Sequence, residues 1–175
     1  YRSNSGDGVL KTIRIKNLGQ IDKDPIFDME EIGGLKCYAE DEILTADGRY
    51  IVDVYRGFDA IMMVKTVEVF PGNKTVAHMF TDSLILEQGY TSSNGTFNAS
   101  YEPKIIHINN DVYAIVYCHF MTLPAYHHGK MVTVRIDATG HITLIKRYTF
   151  DTDCMNTPFS FIQINKTNSI YAIAY

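Results

Sequence analysis

Asp41, Glu42 and Asp53 are the residues of this chain that most resemble a reactive set. They stand where related segments of the same chain carry apolar side chains. Buried like charges resist ionising together unless a cation or an arginine compensates them. Because every donor is a hard oxygen, the functional reading is a cation site, calcium before others, or an acid/base pair; the plain reading is a slip in the alignment of the repeats, or an exposed end of an inner strand beside the channel. Other constellations are weaker. His119, His127 and His128 flank "FMTLPAY", and imidazoles on one loop suit a transition metal, but no further ligand set accompanies them. "DTDCMN" places Asp151, Asp153 and Asn156 in one loop without the glycine and terminal glutamate of an EF-hand. Cys37, Cys118 and Cys154 form no CxxC pair, so a cysteine zinc site is not expected. At most one disulfide can form among them, and the plain expectation is three buried apolar cysteines. There is no G-x-S-x-G elbow and no phosphate-binding glycine loop.

A repeat gives these positions their meaning. "RYIVDVY" (49–55), "DVYAIVY" (111–117) and "SIYAIAY" (169–175) are copies of one strand, and Tyr1 opens the chain at its last letter. After the first three anchor tyrosines come "GVLKTIRI", "MVKTVEV" and "GKMVTVRI", each with a threonine: Thr12, Thr66 and Thr133. Gly19, Gly72 and Gly140 follow, in "NLGQ", "PGNK" and "DATGH", which read as hairpin turns. A further strand comes next ("IDKDPIFD", "VAHMFTDSLILE", "HITLIKRYTFD"), and then an inner strand: "DEILT", "KIIHI" or "FIQI". Against this frame Asp53 matches Ile115 and Ile173, and Asp41 and Glu42 match Phe161 and Ile162.

Each repeat thus predicts four antiparallel strands, and the repeats span approximately 1–55, 56–117 and 118–175. Only "DMEEIGGLKCYAEDEIL" has helical spacing, and Gly33-Gly34 interrupts it. The tyrosine strands are apolar on both faces, as a strand sandwiched between two neighbouring sheets must be. The fold class expected is all-β, made of β-propeller blades. Three blades do not close a ring, so the expectation is part of a larger propeller or a ring completed by association of copies.

The strings "PKIIHINNDVYAIVY" and "GKMVTVRIDATGHITLIKRYTFDT" resemble a tandem propeller-like repeat of archaeal secreted and cell-surface proteins. There a "VYAIAY" strand precedes a "KTVxI" strand, a "DxxG" turn and an "EFDT" strand. The resemblance implies an extracellular binding or structural propeller and brings no catalytic motif with it. The aspartate box of sialidase propellers needs a tryptophan, and this chain has none.

Composition narrows the partners. A net charge of −4 argues against a broad nucleic-acid footprint, and no apolar run is long enough to span a bilayer. Four N-x-S/T sequons begin at Asn73, Asn94, Asn98 and Asn165, all in expected turns or loops. With 10 asparagines and 23 Ser plus Thr in 175 residues, chance gives about one. A secreted or cell-surface glycoprotein is expected.

Two long segments, 88–103 and 119–129, read as exposed face loops carrying Tyr90, Phe97, Tyr101, Phe120 and Tyr126, rigid aromatics suited to a protein partner or a sugar. His107 and Gln163 hold matching polar positions on inner strands and are expected to face a water-filled channel. The expected function is a non-enzymatic extracellular scaffold for protein or glycan interaction in a surface, adhesion or filament assembly, with self-association open to it. No cofactor is expected apart from the calcium considered above. The alternative is a polysaccharide-acting propeller hydrolase or lyase using Asp41, Glu42 and Asp53.

Overall fold

The chain is described by a computed structural model that covers residues 7–10, 30–36, 40–57, 61–71, 76–88, 90–91, 97–122, 125–154, 160–165 and 170–174. Every regular element among these residues is a strand. β3 (Glu40–Leu44), β4 (Tyr50–Arg56), β5 (Met62–Pro71) and β6 (Val76–Glu87) form a four-stranded antiparallel meander, the first sheet. β8 (Phe97–Asn109), β9 (Val112–Thr122), β10 (Ala125–Ile136) and β11 (Ile142–Asp151) form a second, to which the two-residue β7 (Tyr90–Thr91) adds at the β8 edge. Two further pairs are β1 (Asp7–Leu10) with β2 (Glu30–Lys36), and β12 (Ser160–Asn165) with β13 (Ile170–Ala174). β2 runs straight through Gly33-Gly34, so no helix forms there.

Among the described residues, two complete four-stranded sheets are formed where three were expected, and no closed ring is made. The sheets are also out of phase with the sequence period. The period restarts after the tyrosine strand, whereas each sheet starts two strands earlier, at β3 or β8. Of the glycines expected in hairpin turns, Gly140 lies in the β10–β11 connection, and Gly19 and Gly72, like Thr12, lie outside the described residues. Gly48 (φ 73°), Asn110 (φ 45°) and Gly140 (φ 78°) take the left-handed conformation at the β3–β4, β8–β9 and β10–β11 connections.

The sheets stack. β3 and β4 lie against β8, β6 against β11, and β12 against β8 on the other side. β9 explains why its sequence is apolar throughout. Tyr113, Ile115 and Tyr117 point into a core shared with Val52, Val54, Met62, Val64 and Leu86 of the first sheet. Ala114, Val116 and Cys118 point the other way, into a core with Cys154 and Phe161, flanked by Tyr171 and Ile173 of β13. Full burial of each large apolar side chain contributes roughly 1.5–3 kcal/mol, so a strand buried on both faces anchors two interfaces at once. β11, at the sheet margin, is exposed over most of its length; its Lys146 suits an edge that must not recruit other strands, while Arg147 donates to the Leu86 and Ile85 carbonyls of β6.

Candidate functional site

Strand register decides what the carboxylates can do. Glu42 pairs with Asp53, which pairs in turn with Lys65. In the sheet holding β13, Phe161 pairs with Ile173. Because Asp53 and Ile173 are equivalent, Glu42 corresponds to Phe161, and Ile43 to Ile162. The sequence comparison was therefore one residue out along the inner strand, and a one-residue shift exchanges the faces of a strand. Glu42 and Asp53 share the face turned away from the second sheet, while Asp41 lies on the opposite face. The three carboxylates do not converge. Asp53 is 4% exposed and Lys65, its cross-strand neighbour, 6%. The Lys65 Nζ sits 4.9 Å from the centroid of the Tyr55 ring, on the same face as its cross-strand partner Asp53. Among the described residues, no group of three or more His, Cys, Asp or Glu side chains could hold a metal ion.

Asp41 serves the seam between the two sheets. Its Oδ2 accepts the Ile105 N–H at 2.8 Å, and its Oδ1 lies 3.2 Å from Lys104 Nζ. Asp82 does the equivalent at the other margin. One oxygen accepts the Ile142 N–H at 2.8 Å and lies 2.7 Å from His141 Nδ1, and the other accepts the Ser83 N–H. Burial opposes the Asp82 charge, but these donors outweigh it and hold its pKa below the ordinary value. Two carboxylates of the first sheet therefore cap backbone donors on β8 and β11 of the second.

The turn end of the seam is closed by hydrogen bonds to backbone carbonyls. The repeat threonine Thr66 donates to Gly140 O at 2.6 Å. Tyr50 and Arg49 both donate to Ala138 O, and Arg49 also clasps Glu68 at 2.6 Å. Gly140 must be glycine, because a Cβ there would run into the Tyr50 ring and Thr81. A cavity of about 200 Å³ lies beside these contacts, lined among others by Tyr50, Tyr113, Asp47, Asp111 and Asp137. It is smaller than the usual drug-sized site, and its carboxylates serve their own surroundings. Asp47 accepts from the Thr45 hydroxyl and the Arg49 amide, and Asp137 from the Thr139 hydroxyl and amide, which holds both below the usual carboxylate range. Asp111 pairs with Arg135 at 3.0 Å.

The opposite end of the seam is different. Tyr117 is fully buried and donates its hydroxyl to Glu87 at 3.3 Å. Burial, and next the Glu87 carboxylate, push its pKa far above the usual phenol value. His119 is also buried. Its pKa is lowered, first by burial and then by Lys130 and His128, with Glu87 opposing. His128 stands directly across from His119 on β10.

Beyond this point the second sheet continues where the first stops. Anchored on Tyr55 and Tyr117, β9 runs four residues further than β4; anchored on Thr66 and Thr133, β10 starts four residues earlier than β5. At about 3.3 Å per residue the overshoot is about 13 Å. The two segments expected as loops are thus largely strand. Tyr90 is paired with Asn98 and Thr91 with Phe97, Tyr101 with Cys118, Ala99 with Phe120, and Tyr126 with Met121. The five expected aromatic contact positions are gathered on adjacent strands of one extended sheet end. The Phe120 ring lies 4.5 Å from that of His127. Phe120 and His127 are cross-strand partners.

The remaining sequence expectations fall as follows. Cys118 and Cys154 are joined by a disulfide, so they are not simple apolar thiols. Cys37, Asn73, Asn94 and Asn156 lie outside the described residues. Asn98 and Asn165 lie on strands β8 and β12, not in loops. Asp151 accepts the Asp153 N–H at 2.9 Å, an ordinary turn contact. His107 stacks on Tyr113, its cross-strand partner, with Nε2 2.9 Å from Asn110 O, and Gln163 donates to the Tyr171 hydroxyl of its own partner. Both polar positions brace an aromatic ring on the tyrosine strand.

Sequence reasoning missed Asp82, Glu87, His119 as a buried group, and the partner of Thr66. Only the recurrence of the threonine pointed to any of them. No family model, no curated protein and no solved structure matches the chain.

Proposed function

We propose that this chain is part of an extracellular scaffold of the β-propeller type that binds a protein or glycan partner and carries out no catalysis. The observation that carries the reading is the overshoot of the second sheet, where Tyr90, Phe97, Tyr101, Phe120 and Tyr126 fall on neighbouring strands. Aromatic side chains on a rigid sheet present large contact area at low entropic cost, which suits sugar stacking or a protein hot spot. Two stacked four-stranded meanders whose middle strands bury both faces are the building unit of a blade array. The likeness to archaeal surface-protein repeats points the same way. A buried Cys118–Cys154 disulfide fits an oxidising compartment, and the sequons fit glycosylation there. The hydrolase reading has lost the convergence of carboxylates that motivated it.

The test is binding of the purified chain to a panel of immobilised polysaccharides and cell-envelope proteins, with reducing ends assayed in parallel. Wild-type binding that falls at least tenfold in Phe120→Ala/Tyr126→Ala, with no sugar released, supports the reading. Equal binding by the variant places the surface elsewhere. Release of reducing ends that is lost in Glu42→Gln/Asp53→Asn replaces the scaffold with an enzyme.

A further inference from the structure

The ladder between β9 and β10 keeps one register from Val112 to Thr122. His119 and His128 are partners in it, so their side chains leave the same face. That face also carries Ile115 and Tyr117 and turns towards the first sheet. His127 pairs with Phe120 on the opposite face and lies against its ring. Among the described residues no other two histidines pair across strands. The first sheet shows a different arrangement at the same level. Anchored on Tyr55 and Thr66, the counterparts of His119 and His128 are Gly57 and Ile61. There the strands simply close, with the Gly57 N–H donating to Ile61 O at 2.9 Å. In the second sheet two imidazoles replace that inert pair.

Directly opposed residues of an antiparallel ladder have Cβ atoms about 4.5–5.5 Å apart. Two imidazoles rooted at that spacing can each place one nitrogen on a single ion, since metal–nitrogen bonds are about 2.0–2.1 Å long. Each ring has a second nitrogen, which keeps a protein partner and fixes the ring, as histidine ligands require. The setting favours the neutral imidazole that ligates: His119 is 5% exposed, and burial lowers its pKa. The ionisable groups around it among the described residues are Tyr117 on its own strand, His128 and Lys130 on β10, and Glu87 at the end of β6. Lys130 opposes a bound cation, and Glu87 favours it. No third histidine, cysteine or carboxylate converges with the pair among the described residues, and Cys118 is committed to its disulfide. A bound ion would therefore take two ligands from the protein and the rest from water.

We propose that His119 and His128 chelate one divalent transition metal of the zinc, nickel or copper class at the level where the second sheet outruns the first. Imidazole suits these metals, whereas calcium and magnesium require oxygen ligands. The ion ties β9 to β10 at the base of their extension, the segment that carries Phe120. The site stands on strand register and is independent of the aromatic surface.

The test is calorimetric titration of the disulfide-bonded 175-residue chain with zinc chloride at neutral pH. The chain carries Cys37→Ser, to remove a competing thiol, and no histidine tag. One equivalent of zinc should bind, copper(II) should bind more tightly, and excess calcium should not compete. Losing even an outer partner of a metal ligand costs about 10–100-fold in affinity, so His128→Gln should weaken binding by at least ~10-fold. His127→Gln, on the other face, should leave it unchanged. His128 is half-buried, and an unchanged circular dichroism spectrum confirms that its variant folds. In the unsubstituted chain, zinc should shift the imidazole resonances of His119 and His128 and leave those of His127 in place, which needs no variant at His119 or His128. No binding at ~100 μM zinc, well above a micromolar dissociation constant, overturns the proposal. So does binding that survives His128→Gln or is lost in His127→Gln. Phe120→Ala/Tyr126→Ala should leave zinc binding unchanged, so failure of the aromatic surface and failure of this site are read separately.

Discussion

The two ends of the seam between the sheets are built from different chemistry. At the turn end, Thr66, Tyr50 and Arg49 donate to the fixed carbonyls of Gly140 and Ala138, and Asp82 takes the Ile142 N–H. These contacts are tied to backbone, so they hold one geometry. At the other end Arg147 donates to the Ile85 and Leu86 carbonyls, but the groups around it are ionisable side chains: Glu87, Tyr117, His119, His128 and Lys130, of which Tyr117 and His119 are buried. There the sheets part company, and the second continues alone. One end sets the spacing and orientation of neighbouring sheets. The other can diverge from repeat to repeat, because little beyond it depends on the stacking. A repeat protein that keeps its latches at one end and varies the other can change its contact surface without changing its frame.

The largest test of this contrast lies between the ends. Ile115→Ala removes a fully buried side chain from the shared core and should cost about 2–5 kcal/mol in denaturant unfolding. Ile145→Ala, on the exposed β11, should stay within about 0.5 kcal/mol. Equal effects would mean that the sheets do not share a core. Next comes the Cys118–Cys154 bond, which closes a sequence separation of 36. Replacing both cysteines with alanine should cost about 3–4 kcal/mol by loop-entropy reasoning, and it should loosen amide protection at the overshooting end before the turn end. Thr66→Val removes the latch at Gly140 and should cost about 1–3 kcal/mol, because a buried carbonyl loses its donor. Thr66→Ser should restore most of that loss.

The smallest effect separates the ends by pH. His119 has a lowered folded pKa, so its neutral form is favoured by folding. Its contribution is full above the unfolded value of 6.5 and is lost as pH falls below 6.5 through the folded value. His119→Gln should flatten thermal stability across that window. Asp82 is also lowered, from 3.8, so its contribution is full above 3.8 and lost only in stronger acid. Mild acid should therefore loosen the overshooting end first.

The sequence made the stacked sheets legible because burial on both faces leaves a signature that no single-sided strand has. β4, β9 and β13 carry it, and each has a neighbour on at least one side. The β10–β11 turn was legible in "DATGH", whose Gly140 takes positive φ. The overshoot was hidden by composition. "TSSNGTFNAS" reads as a loop, yet part of it pairs as strand, because once β9 and β10 are long enough their neighbour gains hydrogen bonds by extending too. The seam was hidden for another reason. Thr66 and Gly140 are 74 residues apart, and Asp82 and Ile142 are 60 apart, so no local pattern joins them. The carboxylates of the first repeat were visible as exceptions. Their meaning turned on a single residue of register, which sent Asp41 to a backbone donor and set Asp53 beside Lys65.

Amide hydrogen exchange at Ile105 and Ile142 tests the seam most directly. Both residues lie on the second sheet, on β8 and β11, and both N–H groups are capped by carboxylates of the first, Asp41 and Asp82. Slow exchange at both, rising at Ile105 alone in Asp41→Ala and at Ile142 alone in Asp82→Ala, is the result expected. Exchange at the rate of an open strand edge in the wild-type chain would contradict the stacking of the two sheets.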